Sequence, residues 1–370
     1  MGQAALISQD LNTQLNSWNA YILENDIQNA TKMKENITKQ LDYLTVKDSS
    51  LFLQAKLIEL NFYLLIKDNE KAEESMNIIE PYEEVLTEEL KFYYHFYMGH
   101  YAYLQGNYEL SITKYEHAVK YIDHIEDNFL HAEYHYKIMA TYYFNSQMIF
   151  SLTHLEQAND LFNLSDKKNI IRSADCQMAY GLIYIDMKQY DLAEEKFHTA
   201  YMYSKKINDV QLVNRVLHNL GFFYAEQRLS EAAIRYLKPV INRENERSYE
   251  HYIRALFLMY REYCRNRMKE EALECLNNAL SYLEKNVNKE YMYKFQLVKV
   301  LYLNDINIDN ELFEESITYF RQKKLWDSVE SYSKLIAQAY SKASYLEQAV
   351  YYYELAQTAS HTIFEMEALK

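Results

Sequence analysis

One packing register recurs along most of the chain and constrains its fold more than any other feature. Alignment of three segments places Gly99, Gly181 and Gly221 at equivalent positions. A glycine inside a helix lowers helix stability, so its return at one register predicts a place where two helix backbones come too close for a side chain. Small residues follow twelve positions later and large residues sixteen positions later; these are Ser111, Ala193 and Ala233, and then Tyr115, Phe197 and Leu237.

The same spacing continues without glycine, and three further small positions, Ser151, Ala272 and Ala349, mark it towards the C-terminal end. Two segments, Leu220–Tyr224 (L-G-x-x-Y) and Ala193–Phe197 (A-x-x-x-F), resemble tetratricopeptide repeats, although the period is about 40 residues rather than about 34. The resemblance implies a right-handed superhelix of about seven helical pairs, of which the pair between residues 290 and 323 is irregular.

Composition supports an all-α fold, because the 370 residues include only 5 Gly and 2 Pro. Sheets need frequent turn residues, and phosphate-binding folds need glycine-rich loops, so Rossmann and P-loop enzymes are disfavoured. A net charge of −14 opposes direct binding to nucleic acid or to an anionic membrane. No membrane span or signal peptide is visible, which predicts a cytoplasmic protein.

The residues before the repeats show three separate apolar stripes, which predict three helices packed as a bundle. A connecting helix over Asn69–Ile79 is expected to end near Pro81. The sequence therefore predicts three domains: a three-helix bundle at 1–67, a connecting helix and linker at 68–90, and a tetratricopeptide superhelix at 91–370.

This two-part plan resembles the Rap family of bacterial regulators over the whole chain. The opening of the sequence supports the resemblance through Asn16, Trp18, Tyr21, Ile22, Ala30, Met33, Lys34 and Ile37, which occupy a frame similar to the family's first helices. The resemblance implies a quorum-sensing receptor that controls processes such as sporulation or competence. Its bundle would bind a response regulator or transcription factor, and its repeats would bind Phr, a short peptide that is secreted and re-imported.

Repeat geometry identifies candidate peptide-binding residues, since the first helix of each pair lines the concave surface. The predicted set is Asp186, then His218, Asn219, Phe222 and Glu226, then Arg254, Phe257, Arg261 and Arg265. An asparagine can hold an extended peptide backbone through both its donor and its acceptor, and Asp186 can pair with a basic side chain. Asparagine is also common at this repeat position and exposed acids are usually solvated, so a purely structural role stays open.

Whether the chain can act as a phosphatase depends on one position at which it differs from the Rap phosphatases. The segment Val46–Leu60 resembles the loop and helix start in which Rap phosphatases place a glutamine to position the attacking water; here Ser49 occupies that position beside Asp48. Serine lacks the reach of a carboxamide, and Gln54 is five residues further on and is expected on another face. Helix N-capping is the preferred explanation for Asp48 and Ser49, as for Asp26, so no catalytic residue is assigned.

The leading hypothesis is a peptide-gated regulator that sequesters its target. Dephosphorylation of an aspartyl-phosphate is the alternative, and a tetratricopeptide scaffold without a peptide switch is a third reading. No cofactor or metal is expected: His131 and His135 lie one helical turn apart without a third ligand, and Cys176, Cys264 and Cys275 suit buried thiols. The sequence leaves the oligomeric state open.

Overall fold

The computed structural model describes residues 2–23, 25–41, 49–163, 167–242, 249–303 and 308–368. These residues form helices and turns and contain no strand, which confirms the all-α prediction. The chain forms two compact units, a first unit at Met1–Leu161 and a second unit at Phe162–Lys370. The predicted boundaries at 67 and 90 stay a prediction.

Four helices open the first unit. Trp18, Leu15 and Ile37 are fully buried, and the Trp18 ring lies 6.1 Å from that of Phe62. Asp26 accepts the backbone N–H of Asn29 at 3.1 Å, which confirms its predicted N-cap role, and this hydrogen bond lowers the pKa of the carboxyl. The helices are α1 (Gly2–Leu23), α2 (Ile27–Leu41), α3 (Ser49–Leu65) and α4 (Asn69–Ile79).

Seven helical pairs follow within the described residues, which confirms the number expected from the resemblance to tetratricopeptide repeats. Short 3-10 segments follow α4 and α6, and a π-helical segment at Lys299–Leu303 ends the first helix of the irregular pair. The pairs are α5 (Glu88–Leu104) with α6 (Tyr108–Ala118), α7 (Asn128–Phe144) with α8 (Met148–Asn163), α9 (Lys167–Asp186) with α10 (Tyr190–Ile207), α11 (Val210–Glu226) with α12 (Ser230–Asn242), α13 (Tyr249–Arg265) with α14 (Lys269–Lys285), α15 (Lys289–Val298) with α16 (Asn310–Gln322), and α17 (Trp326–Lys342) with α18 (Leu346–Ala368).

The glycine register is where predicted, but its physical cause differs. A Cβ atom on Gly181 would lie 2.6 Å from the Phe197 ring, and one on Gly221 would lie 2.5 Å from Leu237. The large side chain sixteen residues later therefore occupies the space beside each glycine, and the expected contact of two helix backbones is not the reason. The small position also has a role, because the Ser111 hydroxyl donates to the Gly99 carbonyl at 2.7 Å.

The turns inside the helical pairs explain how the chain folds with so few glycines. Three-residue turns share a middle residue in the left-handed region, with φ between 57° and 73°. Each turn is closed by a backbone bond of the type that joins Leu229 N to Tyr224 O at 2.9 Å, which is the Schellman arrangement. The middle residues are Gly106, Ser146, Lys188, Arg228, Arg267 and Ser344.

The three cysteines are buried and free, as predicted, and burial raises the pKa of Cys264 and Cys275 to about 12. Across the described part of the chain, no helix is long and apolar enough to cross a membrane.

Candidate functional site

The predicted peptide-binding residues lie on α9, α11 and α13 of the second unit. Helix α11 contacts both α9 and α13. Two ion pairs connect equivalent faces of these helices: Arg215 Nη1 lies 2.7 Å from Asp175 Oδ1, and Arg261 Nη2 lies 3.4 Å from Glu226 Oε1. The structure therefore brings residues of three successive repeats onto one face, which we call the α9–α11–α13 face.

Helix α11 provides the middle of this face. His218, Asn219 and Phe222 are each partly exposed, and His218 Nδ1 lies 3.4 Å from Asn219 Oδ1. The Phe222 ring packs against the core, so one edge of it remains available for contact. An amide, an imidazole and an aromatic edge are thus presented together, and this combination suits a peptide whose backbone and side chains alternate along the face.

Charged residues flank this middle on both sides. Asp186 is the last residue of α9 and is exposed. Arg254, on α13, is also exposed. Glu226 ends α11 and pairs with the less exposed Arg261. Carboxylates therefore lie at the ends of α9 and α11 and guanidinium groups on α13, so the face can discriminate between peptide side chains by charge.

Phe257 departs from its predicted position. Its side chain is only 8% exposed and packs edge-to-face on Phe295, with ring centroids 5.3 Å apart. A second contact is made with Tyr291 at 5.9 Å. The ring therefore belongs to the core between α13 and α15, since the aromatic residues of the next helix cover the register that repeat geometry expected to be open.

Two buried carboxylates were missed by the sequence analysis. Asp175 is 4% exposed and lies close to two guanidinium groups, Arg215 at 2.7 Å and Arg172 at 3.3 Å. Asp175, Arg215 and Arg254 occupy one repeat position, six residues before Gly181, Gly221 and Tyr260 respectively. The glycine alignment already contained this row, and comparing the charges along it would have identified the pair.

Glu262 is the second of these carboxylates and is fully buried. Its Oε1 atom lies 2.8 Å from Arg265 Nη1 and 3.1 Å from Arg261 Nε, while Oε2 accepts the Ser230 hydroxyl at 2.7 Å. Both oxygens are therefore satisfied, and Glu262 fixes the two arginines that border the α9–α11–α13 face.

The first unit contains a separate cleft of about 260 Å³ between α1, α3 and α5. Its polar lining consists mainly of uncharged groups. They include Asn16, Asn19, Ser50, Gln54, Thr87 and Tyr93, together with the carboxylate of Glu89. Burial, with a contribution from Glu89, raises the pKa of Tyr93 to about 12, so its phenol stays neutral and can donate a hydrogen bond.

The predicted catalytic region is only partly described. Asp48 lies outside the described residues, and Ser49 is the first residue of α3. Glu59 is held by Lys56 at 2.6 Å and by Lys34 at 3.8 Å, which indicates a structural role. Gln54, by contrast, lines the cleft.

The two histidines considered as metal ligands, His131 and His135, contact different partners. His131 Nε2 lies 2.7 Å from the Ile125 carbonyl, whereas His135 Nδ1 lies 2.9 Å from His154 Nδ1. Burial first, and then the neighbouring His154, lower the pKa of His135 to about 4. Where side chains are described, no group of three or more metal-ligating residues occurs.

Several known proteins are similar to this chain in sequence over nearly its whole length. The regulatory protein RapG of Bacillus subtilis is 25% identical over 352 residues, which cover 94% of this chain and 95% of RapG. Response regulator aspartate phosphatase I of the same organism is 23% identical over 98% of this chain and 94% of its own length. No family model matches the chain.

Solved structures show the same fold. A Rap protein complexed with competence and sporulation factor has a TM-score of 0.80 at 21% identity, covering 97% of this chain and 99% of that one. The apo form of RapI has a TM-score of 0.76 at 22% identity, covering 96% and 99%. The fold is therefore that of the all-α tetratricopeptide-repeat class. Within that class, the chain is similar over nearly its whole length to regulatory proteins of the Rap family.

Proposed function

We propose that this protein is a quorum-sensing regulator whose second unit binds a short signalling peptide and whose first unit binds a response regulator or transcription factor. Peptide binding would release the target, because a ligand that prefers one conformation of the repeats shifts the population towards it. Sequestration is the proposed mode of action. A cytoplasmic location belongs to the same proposal, since both proposed partners would be met there.

The α9–α11–α13 face carries this proposal. Its half-buried Asn219 lies on α11, whose Arg215 is held by Asp175. The neighbouring helix α13 carries Arg261 and Arg265, which are held by Glu262. Fixed polar groups lose little freedom when a peptide binds, which favours affinity for an otherwise flexible ligand. The solved Rap protein with this fold is in complex with competence and sporulation factor, which supports a ligand-binding role for this chain.

Binding of a panel of short synthetic peptides to the purified protein tests the peptide site. We expect Asn219→Ala to weaken the best peptide about tenfold, because the bidentate backbone contact is lost. The matched control is Asn277→Ala, which removes an exposed asparagine from α14 and should leave affinity unchanged. Equal effects of the two variants, or no binding by any peptide, would favour the scaffold reading.

A second function, removal of phosphate from a response regulator, is supported by the position of Gln54. Its carboxamide lines the first-unit cleft beside Asn16 and Asn19, although the sequence alone placed it on an unsuitable face. Phosphate loss and complex formation should be followed together on phosphorylated response regulators. Stable binding without phosphate loss supports sequestration.

Catalytic phosphate loss would instead support the second function. In that case Gln54→Ala should slow it by at least about tenfold, while Gln28→Ala, which alters an exposed glutamine on α2, should not.

A further inference from the structure

A cavity of about 550 Å³ lies among α16, α17 and α18, on helices other than those of the α9–α11–α13 face. Four tyrosines line it, together with one carboxylate and two side-chain amides. We call it the tyrosine cavity; the residues used below are Tyr340, Tyr345, Tyr351, Tyr352 and Glu314.

The four rings are arranged as a floor and two walls. Tyr340 and Tyr352 form the floor: they are 4% and 5% exposed and stack with centroids 5.5 Å apart at an interplanar angle of 17°. Tyr345 and Tyr351 are each 54% exposed and stand edge-on to the floor, at 88° to Tyr340 and 81° to Tyr352. Aromatic faces and edges therefore surround a space that opens to solvent.

Glu314 supplies the charge of this cavity. It is exposed, and within the described residues it makes no ion pair. Burial, and then the Glu314 carboxylate, raises the pKa of Tyr340; burial raises that of Tyr352, with smaller contributions from Tyr340, Tyr351 and Glu314. The Tyr340 hydroxyl donates to Asn310 Oδ1 at 2.6 Å, so this part of the floor is fixed.

We propose that the tyrosine cavity binds the guanidinium group of an arginine side chain from a polypeptide partner. A guanidinium is planar and stacks on tyrosine faces, and it forms bidentate hydrogen bonds with a carboxylate such as Glu314. The lining contains no lysine or arginine that would compete. The net charge of −14 also favours the approach of a cation.

Ligand-observed NMR titration of the full-length protein tests this site with N-acetyl-arginine amide as the probe. Its neutral isostere, N-acetyl-citrulline amide, should bind at least about fivefold more weakly, and N-acetyl-lysine amide should also bind more weakly. Free arginine, whose α-groups are charged, should bind no better than the blocked form if the natural source is a polypeptide. Tighter binding of free arginine would overturn that part of the proposal.

Two pairs of variants locate the binding. Glu314→Gln should weaken arginine binding about three- to fivefold without weakening citrulline binding, and Tyr351→Ala should weaken both ligands. The controls Glu354→Gln and Tyr353→Ala change exposed residues of α18 that do not line the cavity, and they should leave both affinities unchanged. Equal binding of arginine and citrulline, equal effects of variants and controls, or no binding of either ligand would refute the proposal.

Discussion

The repeats of the two units share one packing register but bury different chemistry. Twelve residues after the glycine position, the first unit has Ser111 and the second has Ala193 and Ala233. Ser111 bonds a backbone carbonyl, whereas the alanines need no partner. The first unit also buries the imidazole of His95, while the second buries Glu262 against arginines.

This difference shows that the repeat register determines the size of the side chain at each buried position but not whether that side chain is polar. A polar group is accepted in the interior when it is neutral or fully paired, because an unpaired charge there is costly. The two units should therefore respond differently to substitution and to pH. Hydrogen exchange followed by mass spectrometry reports on each unit separately, which a single melting temperature does not.

The largest effect is expected for Glu262→Ala. The substitution leaves Ser230 and two partly buried guanidinium groups without their carboxylate, and we expect the stability of the second unit to fall by about 2 to 3 kcal/mol. Exchange in α13 should accelerate while exchange in α5 stays unchanged. Glu274→Ala, at an exposed site on α14, is the matched control, and an equally small effect of both would show that the buried network contributes nothing.

The next largest difference between the two units is expected in the stability change caused by alanine at the glycine positions. A Cβ on Gly221 meets the branch carbon of Leu237 at 2.5 Å, whereas one on Gly99 meets the edge of the Tyr115 ring at 2.9 Å. Overpacking opposes the gain of about 1 kcal/mol in helix propensity. We expect Gly221→Ala to destabilise the second unit by about 1 to 2 kcal/mol and Gly99→Ala to have a net effect near zero. The reverse order would contradict the packing described here.

A pH effect of about 1 kcal/mol is expected in the first unit. Burial lowers the pKa of His95 to about 4, with His117 and nearby lysines adding to the shift, although Glu83 Oε1 lies 3.4 Å away and favours the charged ring. Because the folded pKa lies below the unfolded value of about 6.5, stability is complete above that value and falls as the pH drops towards 4. Pairing with Glu83 limits the loss.

The histidine effect is measured as exchange in α5 between pH 7 and pH 5, corrected for intrinsic rates. His95→Phe should reduce the dependence in the first unit, and the remainder is expected from His100 and His135, whose pKa values burial also lowers. The described buried residues of α9 to α14 include no histidine, so their exchange should show no such histidine-dependent component. An unchanged pH dependence in the variant would argue against a neutral His95.

The sequence predicted the features that follow from periodic patterns of residues. It did not predict the contacts between charged residues of different helices. The glycine register and the helix over Asn69–Ile79 were read directly, since each is a local pattern. The pair of Asp175 with Arg215 joins residues 40 apart at one position of the glycine alignment, and the helical pattern of either repeat taken alone does not contain it. Phe257 was misplaced because residues of α15, which do not follow the repeat pattern clearly, cover it.

The turns were the other element that sequence reasoning did not resolve, and they allow the last test. Gly106 in the first unit and Arg228 in the second hold the same left-handed turn position, with φ of 73° and 59°. A side chain with a Cβ is strained there, so Arg228→Gly should stabilise the second unit by about 0.5 kcal/mol. Gly106→Ala should destabilise the first unit by a similar amount, and because no atom lies within 4 Å of the added Cβ, the cost would come from the backbone alone. Arg228→Ala keeps the Cβ and should give no gain; if it stabilised the protein as much as glycine does, the benefit would come from removing the arginine and not from relieving the left-handed backbone.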